Sequence, residues 1–261
     1  QASSFMPYIF TRKNFLIELR KQNISYVALR LDDFEELNDF EEDIDLLIDF
    51  KDVTKVETLL DKYIGILPID IYSSNGETLT SYLGLPYYPF SLSNEILKNK
   101  ITFDGYYIPS NYYQLISYVF HLIFHKSLDS GIDINENIKN KIKPKKDYLK
   151  KATRLFDKNN INLVSYNLDS FFAFLKNENK LPQYDLILKF QDLKKDIWYD
   201  RIMKSIKHEV EIIHKEIKGI TIFLLRENAF NEKICKLINK RAKDFGFYII
   251  DEDRISDNNR L

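Results

Sequence analysis

The sequence predicts an α/β protein built on a mixed sheet with flanking helices, and three observations predict it. Short apolar runs near 24–30, 42–49 and 66–72 have the length and turn-bounded setting of strands, helical periodicity fills 11–23 and 53–63, and a helix-rich stretch follows from about 111 onward, strongly charged over 133–180. The order is helix, strand, polar connection, strand, helix, strand.

The second strand carries the most informative residues. It reads Glu-Asp-Ile-Asp-Leu-Leu-Ile-Asp over 42–49. Side chains alternate along a strand, so Asp43 and Asp45 share one face about 7 Å apart, while Ile44, Leu46 and Ile48 face a core. Asp70 stands between Ile69 and Ile71 in the third strand, and a paired strand lies about 4.8 Å away. Carboxylates that close repel one another by about 4 kcal/mol per pair at ~4 Å and an effective dielectric near 20, so divalent cations between them are the natural complement. Hard oxygen ligands suit magnesium, which is usually held by one or two carboxylates plus substrate phosphates. Phosphoryl or nucleotidyl transfer is the matching chemistry. Against this stands a bland reading. Asp and Glu make up 39 of 261 residues, so an acid-apolar-acid triplet is expected by chance, and the acids of a noncatalytic scaffold would simply make surface hydrogen bonds.

Composition narrows the classes. With 44% hydrophobic residues, 261 residues suffice for one large domain or two smaller ones with real cores. The formal net charge of -1, with basic residues spread through the helices, gives no footprint for a nucleic acid polymer. The lone Cys235 excludes an internal disulfide framework and a cysteine zinc site. No apolar run is long enough to span a membrane, and residues 1–5 lack the features of a signal peptide, so a cytoplasmic setting is expected.

The later elements follow in order. Residues 83–90 form a loop by their glycine and two prolines. Residues 101–108 read as two short strands turning at Asp104-Gly105 and ending the sheet. Pro109-Ser110 opens a helix running to Lys126, with Ser110 as N-cap and Leu115, Ile116, Val119, Phe120, Ile123 and Phe124 at helical spacing. His121 and His125 share a face of it, but no glutamate accompanies them as in a metalloprotease, so hydrogen-bonded core histidines are the favoured reading. Lys126 ends the helix as a cation before a small-residue turn. Helices are expected over 145–157, 168–177 and 184–216, and Tyr112, Tyr113 and Tyr118 are candidates to stack on a base. A strand over 220–225, a helix over 231–245 and a strand over 247–250 predict a C-terminal βαβ unit, with Arg226 near its first strand. The domain reading is a core over 6–110, a helical subdomain over 111–218, and a small βαβ module over 219–261 whose half-sheet cannot bury both faces alone.

Residues 11 to about 75 resemble the DNA polymerase β-like nucleotidyltransferase superfamily, which places Asp-x-Asp on one strand and a third Asp on a later one. The resemblance implies a nucleotidyltransferase-like fold in which Asp43 and Asp45 bind metal, and Asp70 completes the site and helps activate the acceptor hydroxyl. Where that superfamily has a phosphate-gripping Gly-Ser turn, this chain reads Val-Ala-Leu-Arg-Leu-Asp-Asp over 27–33, without glycine. Arg30 is then the candidate phosphate contact, and Lys126, with His125 behind it, resembles the cationic helix element of the superfamily. The departure points to a divergent branch, similar to the fukutin and LicD groups. The implied activity is magnesium-dependent transfer of a nucleotidyl or phosphorylated-alcohol group, from a nucleotide or nucleotide-sugar donor to a small sugar-like or hydroxyl acceptor, in bacterial surface-glycan synthesis. A homo-oligomer or further domains remain open, as does a degenerate, noncatalytic version of the fold.

Overall fold

The computed structural model describes residues 11–31, 43–60, 69–76, 80–211, 214–217 and 220–223. The chain is mixed α/β. Helix α1, Arg12–Lys21, starts at Thr11, whose side chain accepts a hydrogen bond from the Asn14 amide, and ends with Arg20 and Lys21 against the negative end of the helix dipole. Strand β1, Tyr26–Leu29, pairs antiparallel with β2, Ile44–Ile48, and β2 pairs parallel with β3, Ile69–Ser73. The order is β1-β2-β3, with β2 central. Helix α2, Val53–Leu60, follows β2.

Alternation along β1 and β2 sorts the sheet into two faces. Tyr26, Ala28, Ile44, Leu46 and Ile48 pack with Phe15, Leu16 and Leu19 of α1 and Val56 and Leu59 of α2. Val27, Leu29 and Leu47 point the other way, into a larger cluster built mostly from the helical part of the chain. The face that carries Asp45 is therefore partly covered as well; Asp45 is half-buried on it, while Asp43 and Asp70 are exposed.

Helix α3, Phe90–Lys98, was not expected from the sequence; its buried Leu92, Ser93, Ile96 and Leu97 form one stripe. Strands β4, Lys100–Phe103, and β5, Tyr106–Pro109, form the expected hairpin. Asp104 and Gly105 both take positive φ, 45° and 91°, as a two-residue turn of the I′ type requires. This hairpin is its own two-stranded sheet rather than the end of the larger one. It sits beside β1, where the Tyr107 amide donates to the Tyr26 hydroxyl at 3.3 Å.

Helix α4, Asn111–Phe120, begins after Ser110, which makes no side-chain cap bond, and it changes character at His121. Residues His121–Lys126 continue as a π-helix instead of the α-helix the periodicity predicts. Helices α5, Tyr148–Lys158, and α6, Leu168–Asn177, match expectation closely. The single helix expected over 184–216 is two: α7, Tyr184–Lys194, stops at Lys195 in the left-handed region (φ 50°), and α8, Ile197–Glu211, starts beyond Asp196. Asp196 accepts a bond from the Tyr199 amide at 3.1 Å, an N-cap interaction that begins the second helix.

Strand β6, His214–Ile217, lies in what the periodicity extended as helix, and it pairs antiparallel with β7, Ile220–Phe223. The expected boundary between 218 and 219 thus falls between two paired strands. The helix and last strand of the expected βαβ unit, with Arg226, lie outside the described residues. Among the described residues, no helix is long and apolar enough to cross a membrane.

Candidate functional site

Two carboxylates meet because of strand register. Asp45 and Asp70 are direct partners across the parallel β2–β3 pair, so their side chains emerge side by side on the same face. Asp43, just before β2, shares their parity and is exposed. Burial raises the Asp45 carboxyl above the usual range; Arg30 opposes this, and the charges of Asp70 and Asp43 add to it. The charges of the other two expected acids are therefore both felt at Asp45.

Arg30 arrives at this group by breaking alternation. It follows Leu29, and regular parity would send it to the apolar face with Tyr26 and Ala28. Its φ of 59° lies in the left-handed region instead, a conformation that costs a non-glycine residue about 1 kcal/mol. Lys151 Nζ on α5 donates to the Arg30 carbonyl at 2.8 Å and holds the turn from the helical side. The guanidinium then forms an ion pair with Asp45 Oδ2 through one terminal nitrogen, and donates to the Tyr87 hydroxyl oxygen through the other. The two side chains of the ion pair are 15% and 16% exposed. Burial disfavours the Arg30 cation, but Tyr87, Asp45 and Tyr88 outweigh it and hold the group firmly protonated.

The network continues inward. Tyr87 Oη lies 2.7 Å from His121 Nδ1. Because the Tyr87 oxygen accepts from Arg30, its own hydrogen is free for His121, which assigns that histidine as neutral with its remaining hydrogen on Nε2. Burial pushes His121 well below the ordinary histidine range, and Arg30 and His125 add to the effect. Asp45, Arg30, Tyr87 and His121 thus form one bonded chain from the sheet edge to the π-helix.

Tyr87 owes its place to a close backbone approach. Gly76, at φ 69°, would carry a Cβ only 2.4 Å from Pro86 Cα, so the turn after β3 can nest against Pro86 only as glycine. The Tyr87 ring stacks on Tyr72 of β3 at 4.0 Å and on His125 at 3.9 Å. His125 is 2% exposed, enclosed also by Tyr82, Phe120 and Phe190, and neither ring nitrogen has a hydrogen-bond partner among the described residues. Burial first, then Arg30, pushes its pKa well down, against a weaker pull upward from the Tyr87 backbone.

Beside Asp70 lies a cleft of about 500 Å³ lined by Ile69, Asp70, Ile71, Tyr72, Ser81, Tyr82 and Leu83. The Tyr72 hydroxyl donates to Asp70 Oδ2 at 3.4 Å, and burial followed by the Asp45 and Asp70 charges raises the Tyr72 pKa. This wall joins a carboxylate to two tyrosine rings.

Other expected residues sit elsewhere. Lys126 Nζ stands 5.8 Å over the Tyr148 ring. His125 is sealed in the core rather than standing behind Lys126 at a surface. Tyr112 donates to Glu178, Tyr113 to Glu95, and Tyr118 to the Tyr148 carbonyl, so these three hydroxyls tie helices together. Tyr72, Tyr82 and Tyr87 are the tyrosines near the acids. The sequence held one sign of them: Pro86-Tyr87-Tyr88-Pro89 fixes two aromatics between rigid residues.

Among the described residues, no group of three or more histidine, cysteine, aspartate or glutamate side chains stands close enough to hold a metal ion. Asp45 and Asp70 form a pair, with Asp43 farther out. Comparison with family models, with curated proteins and with solved structures returns no match.

Proposed function

We propose that this chain is a divergent member of the DNA polymerase β-like nucleotidyltransferase superfamily that transfers a nucleotidyl or phosphorylated-alcohol group to a small hydroxyl acceptor, in surface-glycan synthesis. One observation carries the reading: Asp45 and Asp70 are registered partners on one face of a parallel strand pair, beside an aromatic-walled cleft. Two paired carboxylates fit magnesium, which needs no three-acid cage when substrate phosphates complete its shell. Asp45 and Asp70 would hold it, with Asp43 contributing charge. Bound there, the ion would offset the acids and act as Lewis acid toward a phosphoryl oxygen.

The remaining work falls to the chain. Asp70, on the cleft wall and in reach of the Tyr72 hydroxyl, orients the acceptor hydroxyl and takes its proton as general base. Tyr72, Tyr82, Ile71 and Leu83 line the cleft in which the acceptor would sit. Arg30 presents a planar fork suited to donor phosphate. The ion pair between Arg30 and Asp45 favours a second reading, in which an internal cation has permanently satisfied the acid and the fold serves as a noncatalytic scaffold.

A thermal-shift panel of nucleotides and nucleotide-sugars, with and without magnesium, separates the two. The transferase predicts a rise in melting temperature that requires both ion and nucleotide; ligand at a hundred times its Kd stabilises by about 2.7 kcal/mol. No rise with any pair would overturn the transferase and leave the scaffold.

A further inference from the structure

Arg30 cannot serve donor phosphate and Asp45 in the same way at once, and in this structure it is paired with Asp45. One terminal nitrogen engages Asp45 Oδ2 and the other engages Tyr87, which is itself anchored on His121. The backbone is fixed from the opposite side by Lys151, in a left-handed conformation that aims the side chain at Asp45. Both ion-pair side chains keep about a sixth of their surface exposed. Asp70, the neighbour of Asp45, has no cationic partner among the described residues. The charge that offsets the acid pair is thus carried by the Arg30 side chain.

We infer that Arg30 is an anion-operated latch on the metal site: at rest it occupies Asp45, and a phosphate group that captures the guanidinium releases Asp45 to a divalent cation. The inference rests on the proposed function and adds an order to it. Cation and phosphate bind together because each removes the other's competitor, and thermodynamic linkage makes the effect reciprocal. Without phosphate the site discriminates against metal. The bifurcated grip is essential, since a guanidinium fork spans Asp45 and Tyr87 while a lysine ammonium, a single point charge on a shorter arm, cannot bridge both.

The probes are Mn²⁺, followed by loss of the free-ion electron paramagnetic resonance signal, and pyrophosphate. In the intact protein Mn²⁺ alone should bind weakly, and pyrophosphate should tighten it by about tenfold or more, within the usual range of coupling. Arg30→Lys keeps the positive charge but loses the fork, and Tyr87→Phe keeps the ring stack but loses the anchor. Both should bind Mn²⁺ alone about fivefold more tightly than the parent and gain less from pyrophosphate. The Tyr87→Phe arm decides the matter if Arg30→Lys does not fold. Variants whose Mn²⁺ affinity equals that of the parent, in a protein that binds the ion, would overturn the latch while leaving the transferase reading intact. A protein that takes up no Mn²⁺ with or without pyrophosphate would overturn both.

Discussion

The two faces of the three-stranded sheet are built from alternate residues of the same strands, yet they obey different rules. On one, Tyr26, Ala28, Ile44, Leu46 and Ile48 meet α1 and α2 as hydrocarbon, and the Tyr26 hydroxyl is satisfied by the Leu16 carbonyl. On the other, Val27, Leu29 and Leu47 share the surface with Asp45, and Arg30, Tyr87 and His121 extend the polar line inward. Apolar burial drives folding and is indifferent to direction, whereas a charged network in low dielectric is worth its place only if every member is bonded. The contrast is between a face held by burial alone and one held by burial together with a bonded polar network.

The largest effect should come from the apolar face. Leu46 is fully buried at the centre of β2, so Leu46→Ala should cost about 2–5 kcal/mol in urea unfolding. It should leave ligand binding per folded molecule unchanged. A loss under 1 kcal/mol would mean that this face is not the folding core.

Acid should strike the other face next. His121 and His125 have pKa values pushed well below the ordinary range by burial, so in the folded protein they stay neutral while the unfolded chain takes up protons near pH 6.5. Their stability contribution is present above about pH 6.5 and lost as pH falls, at up to about 1.4 kcal/mol per pH unit for each. His125→Phe should remove half of that slope. Since it also deletes two nitrogens without partners from an aromatic cage, stability at pH 8 should hold or rise. An unchanged slope would show that His125 is protonated in the folded state.

Asp45→Asn sharpens the contrast further. Taken from the sequence alone, removal of one charge from a repulsive cluster should be neutral or stabilising. The ion pair reverses the sign, because Asn leaves the Arg30 cation buried with its main counterion gone. A loss of about 2 kcal/mol is expected, reduced from the fully buried case by the partial exposure of both groups. Unchanged stability would mean that the pair contributes nothing.

How far the sequence speaks follows from which physics is local. The strands, the shared parity of Asp43 and Asp45, and the Asp104-Gly105 turn follow from alternation and turn chemistry, and these place the acids. Arg30's swing to the acid face depends on one positive φ held by Lys151, more than a hundred residues away, and no local pattern encodes it. The π-helix at His121 is equally invisible, since its residues keep an α-helical apolar spacing. The Lys195–Asp196 break was readable, because Asp is a good N-cap and heads the second helix. The Tyr87 anchor was half-visible in its flanking prolines, but its partners were not.

The smallest stability effect carries the most weight for function. Asp70 is exposed on strand β3, is bonded by the Tyr72 hydroxyl at 3.4 Å, and has no cationic partner among the described residues. Asp70→Asn therefore strands no charge. It keeps the shape, can still accept from Tyr72, and relieves the repulsion that raises Asp45, so stability should stay within about 0.5 kcal/mol of the parent or rise slightly. Cation affinity depends on the charge that this substitution deletes, and Mn²⁺ binding in the presence of pyrophosphate should be lost or severely weakened. Urea unfolding and the Mn²⁺ titration on the same preparation give both numbers. A protein destabilised by more than 1 kcal/mol that still binds Mn²⁺ as the parent does would make Asp70 a structural residue, and the polar face would then differ from the apolar one in its bonding alone.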